Sequence, residues 1–193
     1  MKSHLRLFAL LLALVPAFAG AADPWTSSTK HTRHSLTYAA KTSLLGTETP
    51  VTVTFGCDPK SDKESSGTLG FDITIKNTGK LKAFPFDDFE GPDATVAPNI
   101  RVVVNVANKP AQTFRTTASG SYSDENAFCF STTEVSKKSR SVPRSILQTL
   151  ADNAAETVQI TITDPRQPKT PLEFTIPVAG KQIAFQNLLA GLK

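Results

Sequence analysis

Thr68-Leu69-Gly70-Phe71-Asp72-Ile73-Thr74-Ile75-Lys76 decides the reading of this chain. Leu69, Phe71, Ile73 and Ile75 fall on one side of an extended backbone, and Asp72, Thr74 and Lys76 on the other. A period of two is the signature of a strand that buries one face and wets the other. The Asn77-Thr78-Gly79-Lys80 sequence then supplies a turn.

Reading outward, the same alternation recurs. Val51, Val53, Phe55 and Cys57 share one face of Pro50 to Cys57, with Thr52, Thr54 and Gly56 opposite, so Cys57 points inward. Further strands are legible through Ile100, Val102, Val104 and Val106, through Val158, Ile160 and Ile162, and through Leu172, Phe174, Ile176 and Val178. Weaker candidates run from Leu36 to Ala40, Gln112 to Thr117 and Ala127 to Thr133. In the last of these Cys129 lies on the face opposite Phe128 and Phe130, which requires either two covered faces or a bulge that re-aims one of them.

Two segments carry helical spacing instead. Ser141-Val142-Pro143-Arg144 offers a cap and a first-turn proline, after which Ile146, Leu147, Leu150 and Ala154 form a stripe. Phe185, Leu188, Leu189 and Leu192 form another, in a helix expected to begin near Ala179 or Gly180. Several antiparallel strands with only two amphipathic helices, one at the C-terminus, predict a mainly β (α+β) domain resembling an antiparallel sandwich. Pro110, Pro168, Pro171 and Pro177 sit where they can end strand pairing.

The N-terminus reads as an address. Lys2 and Arg6 precede an unbroken apolar run, Leu7 to Val15, then Pro16 and small residues at Ala17, Ala19 and Ala21. This is a secretory signal peptide over residues 1–22 with cleavage within 19–22. A membrane span needs about 20 apolar residues, twice this run, so no span is expected in the mature form. Residues 23–193 are then one exported domain, periplasmic or secreted, long enough for its own core. Two of the 21 basic residues leave with the leader while all 17 acidic ones stay, so the mature net charge is +2. The only dense basic cluster is Lys137, Lys138, Arg140 and Arg144, which reads as a solvated loop, and no nucleic-acid partner is expected.

An oxidising compartment favours pairing Cys57 with Cys129. Closing a loop of about 70 residues stabilises by roughly 4 kcal/mol in the chain-entropy estimate.

Chemistry-bearing motifs are sparse. The sequence has no GxSxG elbow, P-loop, HExxH or dinucleotide fingerprint. His31 and His34 lie in a polar Lys30-His31-Thr32-Arg33-His34 segment, read as an exposed lead-in without further metal ligands beside it. No metal or cofactor is implied. Trp25 reads as a lid pinning the N-terminus to the core, and Ser61 to Gly67 as a charged hairpin tip. The segment least explained by packing runs from Lys82 to Asp93. Phe84, Phe86 and Phe89 alternate there with Asp87, Asp88 and Glu90, either as a plug with its acids in water or as a recognition loop.

The early Trp25, the strand ending in Cys57 followed by Thr68 to Lys76, and the order helix (Ser145 to Asn153), strand (Val158 to Thr163), strand (Leu172 to Val178), terminal helix resemble small periplasmic accessory proteins of the type VI secretion VasI/TagO kind. The chain departs from that layout in placing its second cysteine, Cys129, in a strand and none in the terminal helix, Lys181 to Leu192. The resemblance implies an envelope accessory role and carries over no site residue. The expectation is an exported binding domain without catalysis, its partner a protein or cell-envelope component. A small envelope hydrolase with a site assembled in space, using Asp87, Asp88 or Glu90, is the alternative, and a subunit of a surface assembly is a third reading.

Overall fold

A computed structural model of the chain describes residues 23–58, 68–91, 98–133, 142–164 and 166–191. The leader, Ser61 to Gly67, Asp93, Lys137, Lys138, Arg140, Ser141 and Leu192 lie outside the described residues.

Ten strands form two antiparallel sheets. In chain order they are β1 (Trp25–Lys30), β2 (Arg33–Leu44), β3 (Thr47–Asp58), β4 (Thr68–Lys76), β5 (Ile100–Val106), β6 (Gln112–Thr116), β7 (Ser119–Asp124), β8 (Ala127–Thr133), β9 (Ala155–Ile162) and β10 (Leu172–Pro177). The larger sheet has the order β1-β2-β3-β4-β8-β7, the smaller β10-β9-β5-β6. The described residues also form two α-helices, α1 (Val142–Asp152) and α2 (Gln182–Ala190), and the fold is mainly β as the alternation predicts.

Register converts sequence parity into a core. Val53 sits beside Ile73, and Ile73 beside Phe130; Phe55 sits beside Phe71. In the smaller sheet Val102 neighbours Ile160, which neighbours Phe174. These rows are buried and face each other across the sandwich, with like residues stacked laterally, the arrangement that stabilises a half-buried sheet. Asn99, itself buried, splices the two layers: its Nδ2 donates to the Ala118 carbonyl at 2.8 Å and its Oδ1 accepts from the Ala118 N–H at 2.9 Å.

The helices pack against each other, α1 also touching β4, β5 and β6, and α2 touching β2 and β3. The last carbonyls of a helix lack intrahelical donors. In α1 the Ala151 carbonyl takes them from α2, at 3.1 Å from Gln182 Nε2 and 2.9 Å from Gln186 Nε2. The terminal helix begins later than its apolar spacing suggests, because Gly180 takes a left-handed φ of 74° in the preceding turn.

Two expectations are corrected by this architecture, and one strand is added to those the alternation predicts. His31 and His34 are not a lead-in before the first strand: β1 pairs along β2 and His31, at φ 58°, turns the chain between them. The polar segment Ser119–Asp124 is also a strand, the outer one beside β8. The second correction concerns the sulphurs. Cys57 and Cys129 are both free thiols. Cys57 pairs with Leu69 on β4 while Cys129 pairs with Thr74, on the opposite face of the same sheet and five residues further along β4. Two strand spacings across, roughly 10 Å, and about 17 Å along exceed the Cα separation of about 7 Å that a disulfide tolerates. Cys129 keeps the outward face that its parity predicts, half-buried, without a bulge to re-aim it.

Candidate functional site

The segment between β4 and β5 folds back on itself by short-range hydrogen bonds. Phe84 N–H donates to Leu81 O at 2.9 Å, and Phe86–Phe89 forms a 3₁₀ turn in which Asp88 N–H reaches Pro85 O at 3.1 Å. Its three rings point inward. Phe84 stacks on Phe89 with centroids 5.3 Å apart, Phe89 meets Phe130 edge-on at 5.1 Å, and Phe86 lies 5.2 Å from Phe128. All five rings are buried, so Phe84, Phe86 and Phe89 close one end of the sandwich as a plug and lend no exposed aromatic surface to a partner. One glycine makes room: a Cβ on Gly120 of β7 would stand 2.1 Å from the Phe128 ring.

The carboxylates of this turn are outside, and each is held. Tyr122 of β7 donates its phenol to Asp87 Oδ1 at 2.9 Å and its backbone N–H to Glu90 Oε1 at 3.1 Å. Partial burial and the Asp87 carboxylate push the Tyr122 phenol up to about 12. Asp88 faces the loop between β9 and β10. There Arg166 NH2 reaches Asp88 Oδ2 at 3.1 Å and the Asp88 carbonyl at 3.0 Å, while its Nε and backbone N–H hold Asp164 Oδ1 at 3.2 and 2.9 Å. Asp164 is only 2 % exposed, and no donor among the described residues reaches its Oδ2.

The Asp88 and Asp164 carboxyls are both held by the one Arg166 guanidinium. The hydrogen bond between the two carboxyls raises Asp88 above the ordinary aspartate value of 3.8, with partial burial adding to it and the Arg166 charge opposing. Burial pushes Asp164 the other way from its net shift. The Arg166 N–H, the proton presented by Asp88 and the guanidinium together outweigh it and hold Asp164 below 3.8. Two carboxyls beside one guanidinium are electrically neutral when one of the two is protonated. Sequence inspection singled out Asp88 but missed Tyr122, Asp164 and Arg166.

At the other end of the larger sheet, β1 and β2 carry His34 to the inner face beside Cys57. His34 Nδ1 lies 3.1 Å from Thr29 Oγ1, and Cys57 donates its thiol to the Leu188 carbonyl of α2 at 3.1 Å. Burial pushes the Cys57 thiol up, which disfavours the nucleophilic thiolate. Between β1, β2 and α2 runs a groove of about 290 Å³ lined by Ser27, Thr29, His34, Leu36, Asn187 and Leu188. Trp25 pins the start of β1 to the core: the indole Nε1 donates to Pro177 O at 2.9 Å, and the ring packs on Tyr38, Phe55 and Phe185.

The outer edge of β1 has no strand beside it among the described residues. The register shows which groups it offers. Ala39 N–H donates to Pro24 O, so Thr26, Ser28 and Lys30 spend their backbone groups on β2, while Trp25, Ser27 and Thr29 turn theirs outward, the Trp25 N–H being taken by Asp23 Oδ1 at 3.1 Å. The opposite edge, β7, is covered in part by a bridge from Glu90 to Gly120.

No group of three or more His, Cys, Asp or Glu is arranged to hold a metal ion among the described residues, and no described helix is long and apolar enough to cross a membrane. Compared with known proteins, the chain matches no family model, no curated protein and no solved structure.

Proposed function

We propose that this chain is an exported binding domain, periplasmic or secreted, that engages an extended segment of a partner protein along β1 and performs no catalysis of its own. The observation that carries the reading is the free edge of β1, which presents outward backbone donors and acceptors beside a polar groove. An extended segment added there gains main-chain hydrogen bonds from the edge and side-chain selectivity from the groove. Lys30, His31 and Arg33 stand at the hairpin tip and keep that edge from pairing indiscriminately. Export rests on the leader, and the layout resemblance to envelope accessory proteins points the same way.

The hydrolase alternative needs Asp87, Asp88 or Glu90 free to move a proton or attack. Each is instead bonded to Tyr122 or Arg166 in contacts that fasten the plug. The deciding experiment is capture of partners from envelope extract by the wild-type protein and by Ser27→Pro. Proline there removes an outward N–H and leaves the ladder to β2 intact, as edge prolines do. The expected result is a reproducible partner held by wild type and lost from a Ser27→Pro protein of unchanged melting temperature. Equal capture by both, or no reproducible partner for wild type, refutes the proposal.

A further inference from the structure

Asp164 is the most deeply buried carboxylate described, and its Oδ2 has no N–H or O–H donor in reach among the described residues. A buried acceptor left unanswered costs about 1–3 kcal/mol, more when it is charged. Asp88 and Arg166 stand beside it, and the charged and titratable groups next to that pair come from three elements. Asp88, Asp87 and Glu90 belong to the 3₁₀ turn and its end, Tyr122 to β7, and Arg166 to the β9–β10 loop. Arg166 already gives Asp164 Oδ1 two N–H bonds and gives Asp88 two more. With both carboxylates ionised the cluster carries one surplus negative charge beside Asp87. With one proton between them it carries none.

The geometry points to a proton-operated latch: a single proton held between Asp88 and Asp164, with the Arg166 guanidinium alongside, ties the aromatic plug to the β9–β10 loop, and loss of that proton slackens this end of the sandwich. The plug follows β4 of the larger sheet and Asp164 follows β9 of the smaller, so the latch joins the two layers. Arg166 spans them physically, touching the backbone of one and the carboxylate of the other. A divalent cation is a poorer occupant than a proton, because the guanidinium already fills the charged side of the pair.

The direction of the pH dependence follows from the two shifts. Asp88 is raised, so its contribution is complete below its unfolded value and fades as pH rises through its folded one. Asp164 is lowered, so its contribution is present above its unfolded value and is lost as pH falls through its folded one. The latch is therefore tightest in an acid window bracketing 3.8 and looser toward neutrality.

The test is amide exchange in Phe86–Phe89 between pH 4 and 7, corrected for intrinsic rates, in the wild-type protein and in Asp88→Asn. The asparagine offers Asp164 a permanent N–H. Wild-type protection should fall as pH rises, by at most about tenfold for each pKa unit separating folded and undocked Asp88, and Asp88→Asn should stay flat. Flat protection in wild type, or an equally steep fall in Asp88→Asn, overturns the latch. So does protection at pH 7 that calcium restores in wild type and not in Asp164→Asn, which makes the occupant a cation. If Asp88→Asn does not fold, carboxyl carbon titration of wild type decides: Asp88 and Asp164 must titrate on opposite sides of 3.8, and coincident titration at that value overturns the proposal.

Discussion

Replacing Phe89 with alanine tests whether the acid-flanked segment is part of the core. Phe89 is 1 % exposed, stacks on Phe84 at 5.3 Å and meets Phe130 edge-on at 5.1 Å. Truncating a ring so placed removes its transfer free energy and leaves a cavity between two partners that cannot both collapse into it. The cost expected is about 3–5 kcal/mol, a fall in melting temperature of about 6–20 °C for a domain of this size. Urea unfolding measures it, with an unchanged m-value showing that the loss is in the folded state. Asp87→Asn, which weakens one exposed bond from Tyr122 without opening a cavity, should cost no more than about 1.5 kcal/mol. A loss under about 1 kcal/mol for Phe89→Ala, or an equal loss for both variants, would show that the ring does not close the sandwich.

Three further outcomes follow from named contacts. Thiol titration of denatured, unreduced protein should count two free sulfhydryls, and an intact mass lower by two hydrogens would contradict the register that separates Cys57 from Cys129. Asn99→Ala removes two buried hydrogen bonds to Ala118 and should destabilise by about 2–4 kcal/mol in the same urea assay, with a near-neutral result sinking the splice. Gly120→Ala sets a methyl against the Phe128 ring and should cost about 1–3 kcal/mol, unless Phe128 packs elsewhere than the structure has it.

The strands that were legible in the sequence are those with one dry face. β3, β4, β5, β9 and β10 alternate because each turns every second residue toward the opposing sheet. β1 and β7 escaped because they are edge strands with scarcely any buried side chain. Ser27, Ser28 and Thr29 have no apolar rhythm to read, and their pairing is dictated by β2. The disulfide failed for another reason: compartment says whether two thiols are oxidised if they meet, whereas register says whether they meet. The parity of Cys129 against Phe128 and Phe130 already carried that information. At the latch, Asp88 stood out through its aromatic neighbours. Asp164 and Arg166 sit in a proline-rich turn, more than 70 residues away in sequence, and only folding brings them to it.

The indole bond from Trp25 to the Pro177 carbonyl spans 152 residues. A ribosome delivers the chain front end first, so the opening strand must wait for almost the whole polypeptide before that bond can form. Its lone tryptophan, red-shifted while wet and blue-shifted once covered, marks the moment at which the two ends meet.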